Sequence, residues 1–337
     1  MVWKRMDVTE FWHTIPLFPL ISPVSSPNRE TMSFFSPPER FTAEVFAELP
    51  KKFRRSKVSA ERLAAGRPAP HGGCFLEGPS FDRKGNLYVT DIPFGRIFRI
   101  SPKGTWDLVV EYDGEPNGLK IHKDGRIFVT DHKRGLMLLD ARRGRIESII
   151  TRYNLETFKG LNDLVFASNG DLYFTDQGQS GLQNPTGSVY RLRNNGKLER
   201  IADNIPSPNG LVLNKAENTL FVAVTRANAV WRLPLLPDGT VSRMGVFISM
   251  SGGRGPDGMA IDEDDGLAVA HPDMGAVWIF NHRGEPLYRI DSPGSDVVTN
   301  CAYGVKDPHT LYIVDSEGGA ILSAELPTPG RKMYSQA

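Results

Sequence analysis

The chain has 337 residues, 40 Lys plus Arg against 39 Asp plus Glu, and two cysteines, Cys74 and Cys301. That length is ample for a large core, and closed β architectures of this size commonly fold as one domain. The charge balance gives no electrostatic reason to expect nucleic acid or a membrane surface as partner, and two thiols exclude a disulfide framework, so a reducing, cytoplasmic setting is the expectation.

Residues 1–40 read as a disordered leader, with Met32 as an alternative start. Its apolar run Ile15-Pro16-Leu17-Phe18-Pro19-Leu20-Ile21 is broken by two prolines and is far too short to span a bilayer. Residues 41–49 alternate as a strand that Pro50 stops. A polar stretch to Pro70 follows, and its basic residues Lys51, Lys52, Arg54, Arg55 and Lys57 read as a solvated linker.

From His71 onward the sequence repeats. Gly85-Asn86-Leu87-Tyr88-Val89-Thr90-Asp91 returns as Gly125-Arg126-Ile127-Phe128-Val129-Thr130-Asp131 and as Gly170-Asp171-Leu172-Tyr173-Phe174-Thr175-Asp176. Weaker copies lie at 218–224, 266–271 and 310–315, which makes six. Each is followed by a turn, a third strand, a Gly-containing turn and a short fourth strand. Short β-branched and aromatic runs bounded by Gly, Asp, Asn and Pro are strand-and-hairpin chemistry, and no window of helical length keeps a 3.6-residue period. The expectation is an all-β, six-bladed propeller of four-stranded antiparallel blades in one domain, residues 41–330. Its repeats begin near residues 77, 117, 162, 209, 257 and 300. The sixth unit ends near Leu326 without a fourth strand, so the orphan strand 42–49 is expected to supply one and close the ring.

A polar residue recurs where each unit enters its innermost strand. The phrases are Glu77-Gly78-Pro79, Pro116-Asn117-Gly118, Leu161-Asn162-Asp163, Pro208-Asn209-Gly210 and Pro256-Asp257-Gly258, with Thr299-Asn300-Cys301 as a degenerate sixth. Aligned on the second strands, Glu77, Asn117, Asn162 and Asp257 share a register and Asn209 falls one residue off. Asn-Gly and Asp-Gly are ordinary turn sequences. Glu is a poor turn former, however, and two carboxylates at a crowded axis are costly unless something offsets their charge. Carboxylate and amide oxygens together suit a hard divalent cation.

These phrases, in this order and in these blades, resemble the SMP-30/gluconolactonase/LRE-like propellers and, more distantly, diisopropylfluorophosphatase. The resemblance covers residues 71–326 or so. It implies that Glu77, Asn209 and Asp257 ligate a divalent cation on the axis, Ca²⁺ first, with Mg²⁺, Mn²⁺ or Zn²⁺ as alternatives, and that Asn162 is a fourth or water-mediated ligand. It also implies a small-molecule lactone or ester substrate. The cation would polarise the carbonyl and stabilise the oxyanion, with Asp257 or Glu77 as base. Asn117, His132, Arg226 and His271 are the candidate substrate contacts, and residues 177–187 a candidate lid. A promiscuous esterase or phosphotriesterase at the same site, and a binding propeller with a structural metal, stay open as readings. The formal GxGxxG at 253–258 has no βαβ context, and no nucleophile elbow or Walker A loop occurs.

Overall fold

Runs such as Leu87–Asp91 and Ile127–Asp131 are buried at every position, which is what a strand covered on both faces requires. In the computed structural model, which describes residues 35–67, 69–178 and 180–336, these runs are the second strands of six four-stranded antiparallel blades. The blades form a six-bladed β-propeller. The innermost strands, in blade order, are Leu76–Phe81, Pro116–Ile121, Leu161–Phe166, Pro208–Leu213, Met259–Ile261 and Val298–Tyr303. Blades pack face to face through apolar layers. Val165, Tyr173 and Val189 of blade 3, for example, meet Leu211, Leu220 and Val222 of blade 4. Truncating one such buried aliphatic to Ala costs about 2–5 kcal/mol. Among the described residues no helix is long and apolar enough to cross a membrane.

The ring closes as the sequence suggests, with one difference. Glu44–Glu48 pairs antiparallel with Ala320–Glu325 and completes blade 6. The expected strand 41–49 is not continuous, because Glu39–Thr42 pairs parallel with Pro286–Asp291 and gives blade 5 a fifth strand. The chain therefore changes blades at buried Ala43, whose N–H bonds the Asp291 carbonyl. Residues 1–34, most of the expected leader, lie outside the described residues. In the basic linker Lys51, Lys52, Arg55 and Lys57 are exposed as expected, and Arg54 is the exception. Arg54 donates to the Gly72 and Gly318 carbonyls at 2.6 and 2.7 Å, and Arg55 pairs with Glu111.

Candidate active site on the propeller axis

Three repeated devices aim the innermost strands. First, these strands carry a bulge at the site residues, where the pairing register shifts in blades 1, 2, 3, 4 and 6, and a bulge redirects side chains. Second, the Asp ending a second strand accepts a backbone N–H just ahead of its own blade's innermost strand. Asp91 takes Phe75, Asp131 takes Glu115, Asp176 takes Lys159 and Asp315 takes Ser295, each at 2.9 Å. Third, a hydroxyl at the end of a second strand grips the next blade's innermost strand. Thr90 donates to the Asn117 carbonyl at 2.7 Å, Thr130 to Asn162 at 2.5 Å and Thr175 to Asn209 at 2.8 Å. Thr225 donates to Pro256 at 2.8 Å and Ser316 to Leu76 at 2.7 Å. The polar side chains are thus held by backbone bonded on both sides.

Glu77, Asn162 and Asn209 are each about 5% exposed or less, and Asp257 is half-buried. Glu77 accepts from Asn300 Nδ2 at 2.8 Å and from the Gly78 N–H at 2.7 Å. Burial nevertheless pushes its carboxyl up to about 7. Burial also holds Asp257 well above the ordinary carboxylate range; the charges of Glu77 and Asp163 add to this, and the Asn209 amide opposes it. Against these three carboxylates stands Lys120, with Nζ 3.7 Å from Asp163 Oδ1. The axis therefore gathers more carboxylates than nearby cations, and Glu77 and Asp257 hold their protons more tightly for it. Its oxygen donors fit a hard cation such as Ca²⁺ or Mg²⁺ and offer Zn²⁺ neither Cys nor His. Among the described residues no three His, Cys, Asp or Glu converge as a ready cage, so amide oxygens and water would complete the shell.

Asn209 is not offset. Pro208 faces Val224 as Pro116 faces Asp131 and Leu161 faces Asp176, which puts Asn209 level with Asn117 and Asn162. The apparent slip arises in the turn, since six residues separate Leu213 from its partner Leu220 where five separate Ile121 from Ile127. Asn117 is partly exposed at the same level. His132 lies against Gly160, where a Cβ would come within 2.4 Å of its ring, and burial lowers its pKa. Arg226 is exposed on the rim. His271 is 1% exposed, with Nε2 3.0 Å from the Gly252 carbonyl, under the loop that carries Asp257.

Three axial groups have no role in the sequence reading: Asp163 and Asn300, which it names only within the repeated phrases, and Lys120. Asp163 and Asn300 occupy the bulge position that is Gly in the other blades. A Cβ on Gly118 would sit 2.7 Å from Asp163 Oδ1, and one on Gly258 2.0 Å from Asn300 Cγ. Each glycine is the space that the next blade's polar side chain fills. The signal was present in sequence as the exchange of Gly for Asp and Asn within one repeated phrase. Cys74 and Cys301 are free and buried, and burial pushes both thiols up to about 12, so neither is a nucleophile.

The opposite end of the channel is sealed. The C-terminal segment bonds Ile261 and Leu213 through Arg331, stacks Tyr334 on Phe166, and bonds the Phe81 carbonyl through Ser335. It leaves a void of about 30 Å³, room for about two waters. A larger groove of about 900 Å³ lies near that end, between blades 1 and 2, and holds none of the axial residues.

Residues 75–317 match the family described as "SMP-30/Gluconolactonase/LRE-like region". The chain is 36% identical over 274 residues to lactonase drp35 of Staphylococcus aureus (strain MW2), covering 77% of this chain and 82% of that protein. It superposes on a gluconolactonase, XC5397 of Xanthomonas campestris, with a TM-score of 0.67 at 23% identity, covering 85% of this chain and 98% of that one. A calcium-binding regucalcin from Agrobacterium tumefaciens gives a TM-score of 0.69 at 20% identity, covering 88% and 98%. At these identities the structural likeness speaks for the fold alone.

Proposed function

Because the chain belongs to the SMP-30/gluconolactonase/LRE-like family, we propose that it is a lactonase that opens a small cyclic ester at the propeller axis. The observation that carries this is the pair Glu77 and Asp257, two carboxylates with raised proton affinity and too little cationic charge beside them. A binding surface has no use for such a pair. Glu77, Asp257, Asn162 and Asn209 would hold a divalent cation, Ca²⁺ first, and that ion when bound would polarise the lactone carbonyl and stabilise the oxyanion. Asp257, the more exposed carboxylate, takes a proton from the attacking water. The new C–O bond forms at the acyl carbon, the ring C–O bond breaks, and the proton passes to the departing alkoxide to give a hydroxy acid. Asn117 and His132 stand on the open rim to orient the ring substituents, and the sealed far end directs entry to this rim. Two free, buried cysteines agree with a cytoplasmic setting.

The test is a pH-stat screen of aldono-, aliphatic and aromatic lactones and a phosphotriester, with and without EDTA, on wild type and Asp257→Ala. The variant should lose about 10²–10⁴-fold in kcat on a lactone, the usual weight of a positioned base, and EDTA should silence wild type. Full activity in the variant or in EDTA would refute the mechanism. A calcium-dependent rise in melting temperature with no ester hydrolysed would leave a binding propeller.

A further inference from the structure

Blade 5 departs from the repeat at the position that fixes the others. In blades 1, 2, 3 and 6 the second strand ends in Asp91, Asp131, Asp176 and Asp315, each bonding an N–H ahead of its innermost strand at 2.9 Å. In blade 5 the second strand, Leu267–His271, ends in His271 instead. The register is unchanged, since His271 faces Ala276 on the third strand as Asp131 faces Gly135 and Asp315 faces Ala320. Met259 faces Val269 as Leu119 faces Val129, which puts Asp257 level with Asn117. The exchange of Asp for His therefore falls in the blade that carries the proposed base.

The exchange reverses the bond. An ionised Asp can only accept, and in its blades it holds an N–H. His271 Nε2 lies 3.0 Å from the Gly252 carbonyl oxygen, which also can only accept, so Nε2 carries the proton and donates it. Asn228 Nδ2, reaching over from blade 4, donates to the same oxygen at 2.8 Å. Beyond this anchor the loop has no slack. The Arg254 N–H bonds the Pro272 carbonyl, and the Asp257 N–H bonds the Ala270 carbonyl. Gly253 and Gly255 have φ of +56° and +103°, and a Cβ on them would lie 2.5 Å from the Pro272 oxygen and 2.0 Å from the Thr225 oxygen. The position of the Gly252 carbonyl thus fixes the path of the chain to Asp257.

Resting on the lactonase reading above, we propose that His271 is a positioning residue, a buried donor that pins the Gly252 carbonyl and so sets the loop 252–257 that delivers Asp257 to the axis. It acts through that loop and touches neither substrate nor reacting atoms. The Asp of the repeat cannot serve here, because a carboxylate facing the Gly252 carbonyl would set acceptor against acceptor.

His271→Gln keeps a side-chain donor, whereas His271→Asp restores the residue of the repeat and removes it, so the pair separates bonding from packing. Hydrogen exchange followed by mass spectrometry reads the loop without substrate or metal. In His271→Asp the peptide carrying the Arg254 and Asp257 amides should exchange about tenfold faster or more, the weight of one lost buried hydrogen bond. Pro116–Ile121 of blade 2 should keep its wild-type protection. On a lactone, His271→Asp should lower kcat about tenfold to a hundredfold, the scale of a misplaced reacting group, with KM little changed. His271→Gln should recover most of the protection and most of the rate. If His271→Asp does not fold, Asn228→Gly decides, since glycine suits the φ of +48° there and removes only the second donor; a loosened loop peptide supports the proposal and an unchanged one overturns it. If wild type hydrolyses no lactone, the lactonase reading falls, and the exchange results still decide whether His271 sets the loop. If Gln and Asp behave alike, if protection falls throughout the molecule, or if the loop loosens with an active enzyme's kcat unchanged, His271 is a packed core residue and the proposal is overturned.

Discussion

Thr130 donates its hydroxyl to the Asn162 carbonyl of the next blade and accepts the Gly118 N–H of its own at 3.0 Å. One side chain therefore holds the bulges of two neighbouring blades in register. Thr130→Val keeps the shape and removes both bonds, which leaves a buried N–H and a buried carbonyl unpaired. The expected cost is about 1–3 kcal/mol, read as a lower denaturation midpoint at unchanged slope, and it should come with a fall in lactone turnover because Asn162 loses its anchor. Unchanged stability and turnover would remove the hydroxyl from the account. The repeated Asp that ends a second strand has the same character. It looks like a turn residue in sequence, yet Asp91, Asp131, Asp176 and Asp315 each fix the backbone that leads to an axial residue.

The strand Glu44–Glu48 gives a sharper test of architecture than any single side chain. Without it Ala320–Glu325 becomes an unpaired edge in a ring that otherwise has none at that seam. Deleting residues 1–31 should leave cooperative melting intact, whereas deletion through Pro50 should abolish it. Equal melting of the two truncations would show that blade 6 holds with three strands. The outer strand of blade 3, Leu198–Ile205, answers to pH. Its Glu199 is held at about 2, below the ordinary 4.5, chiefly by Arg193, with Lys197 and Arg191 adding to it. A depressed carboxyl stabilises the fold above its unfolded value and loses that contribution as pH falls through the folded one. Glu199→Gln should therefore cost about 1 kcal/mol at neutral pH, discounted for exposure. In thermal melts the gap to wild type should close between about pH 4.5 and 2. A gap that persists at pH 2 would mean that packing, not charge, is what the glutamate supplies.

Among the described residues the propeller unit is a ring whose one end is closed by the C-terminal segment. The tail that seals the far end runs from blade 5 to blade 1 past the ends of the inner strands, through Ile261, Leu213, Phe166 and Phe81. Such a plug has no repeat and no periodic pattern, so nothing in residues 330–336 announces it in sequence. The helical detour at 59–67 is equally silent. It reads as a polar linker until Glu115, nearly fifty residues on, shows what Arg62 and Arg67 are for.

Six returns of one strand–turn–strand phrase fixed the fold class and blade number, because backbone pairing and period-two burial repeat locally and can be read along the chain. The same repetition brought Glu77, Asn117, Asn162 and Asp257 to one level without any contact being known. Asn209 slipped because one extra residue in a turn shifts a count made along the sequence but not a hydrogen-bonded ladder. Asp163, Asn300 and Lys120 escaped for a deeper reason. Their place on the axis depends on a glycine in the preceding blade making room or on a carboxylate in the next blade drawing charge inward. Only closure of the ring brings those groups within reach, and only then does burial raise the proton affinity of Glu77 and Asp257.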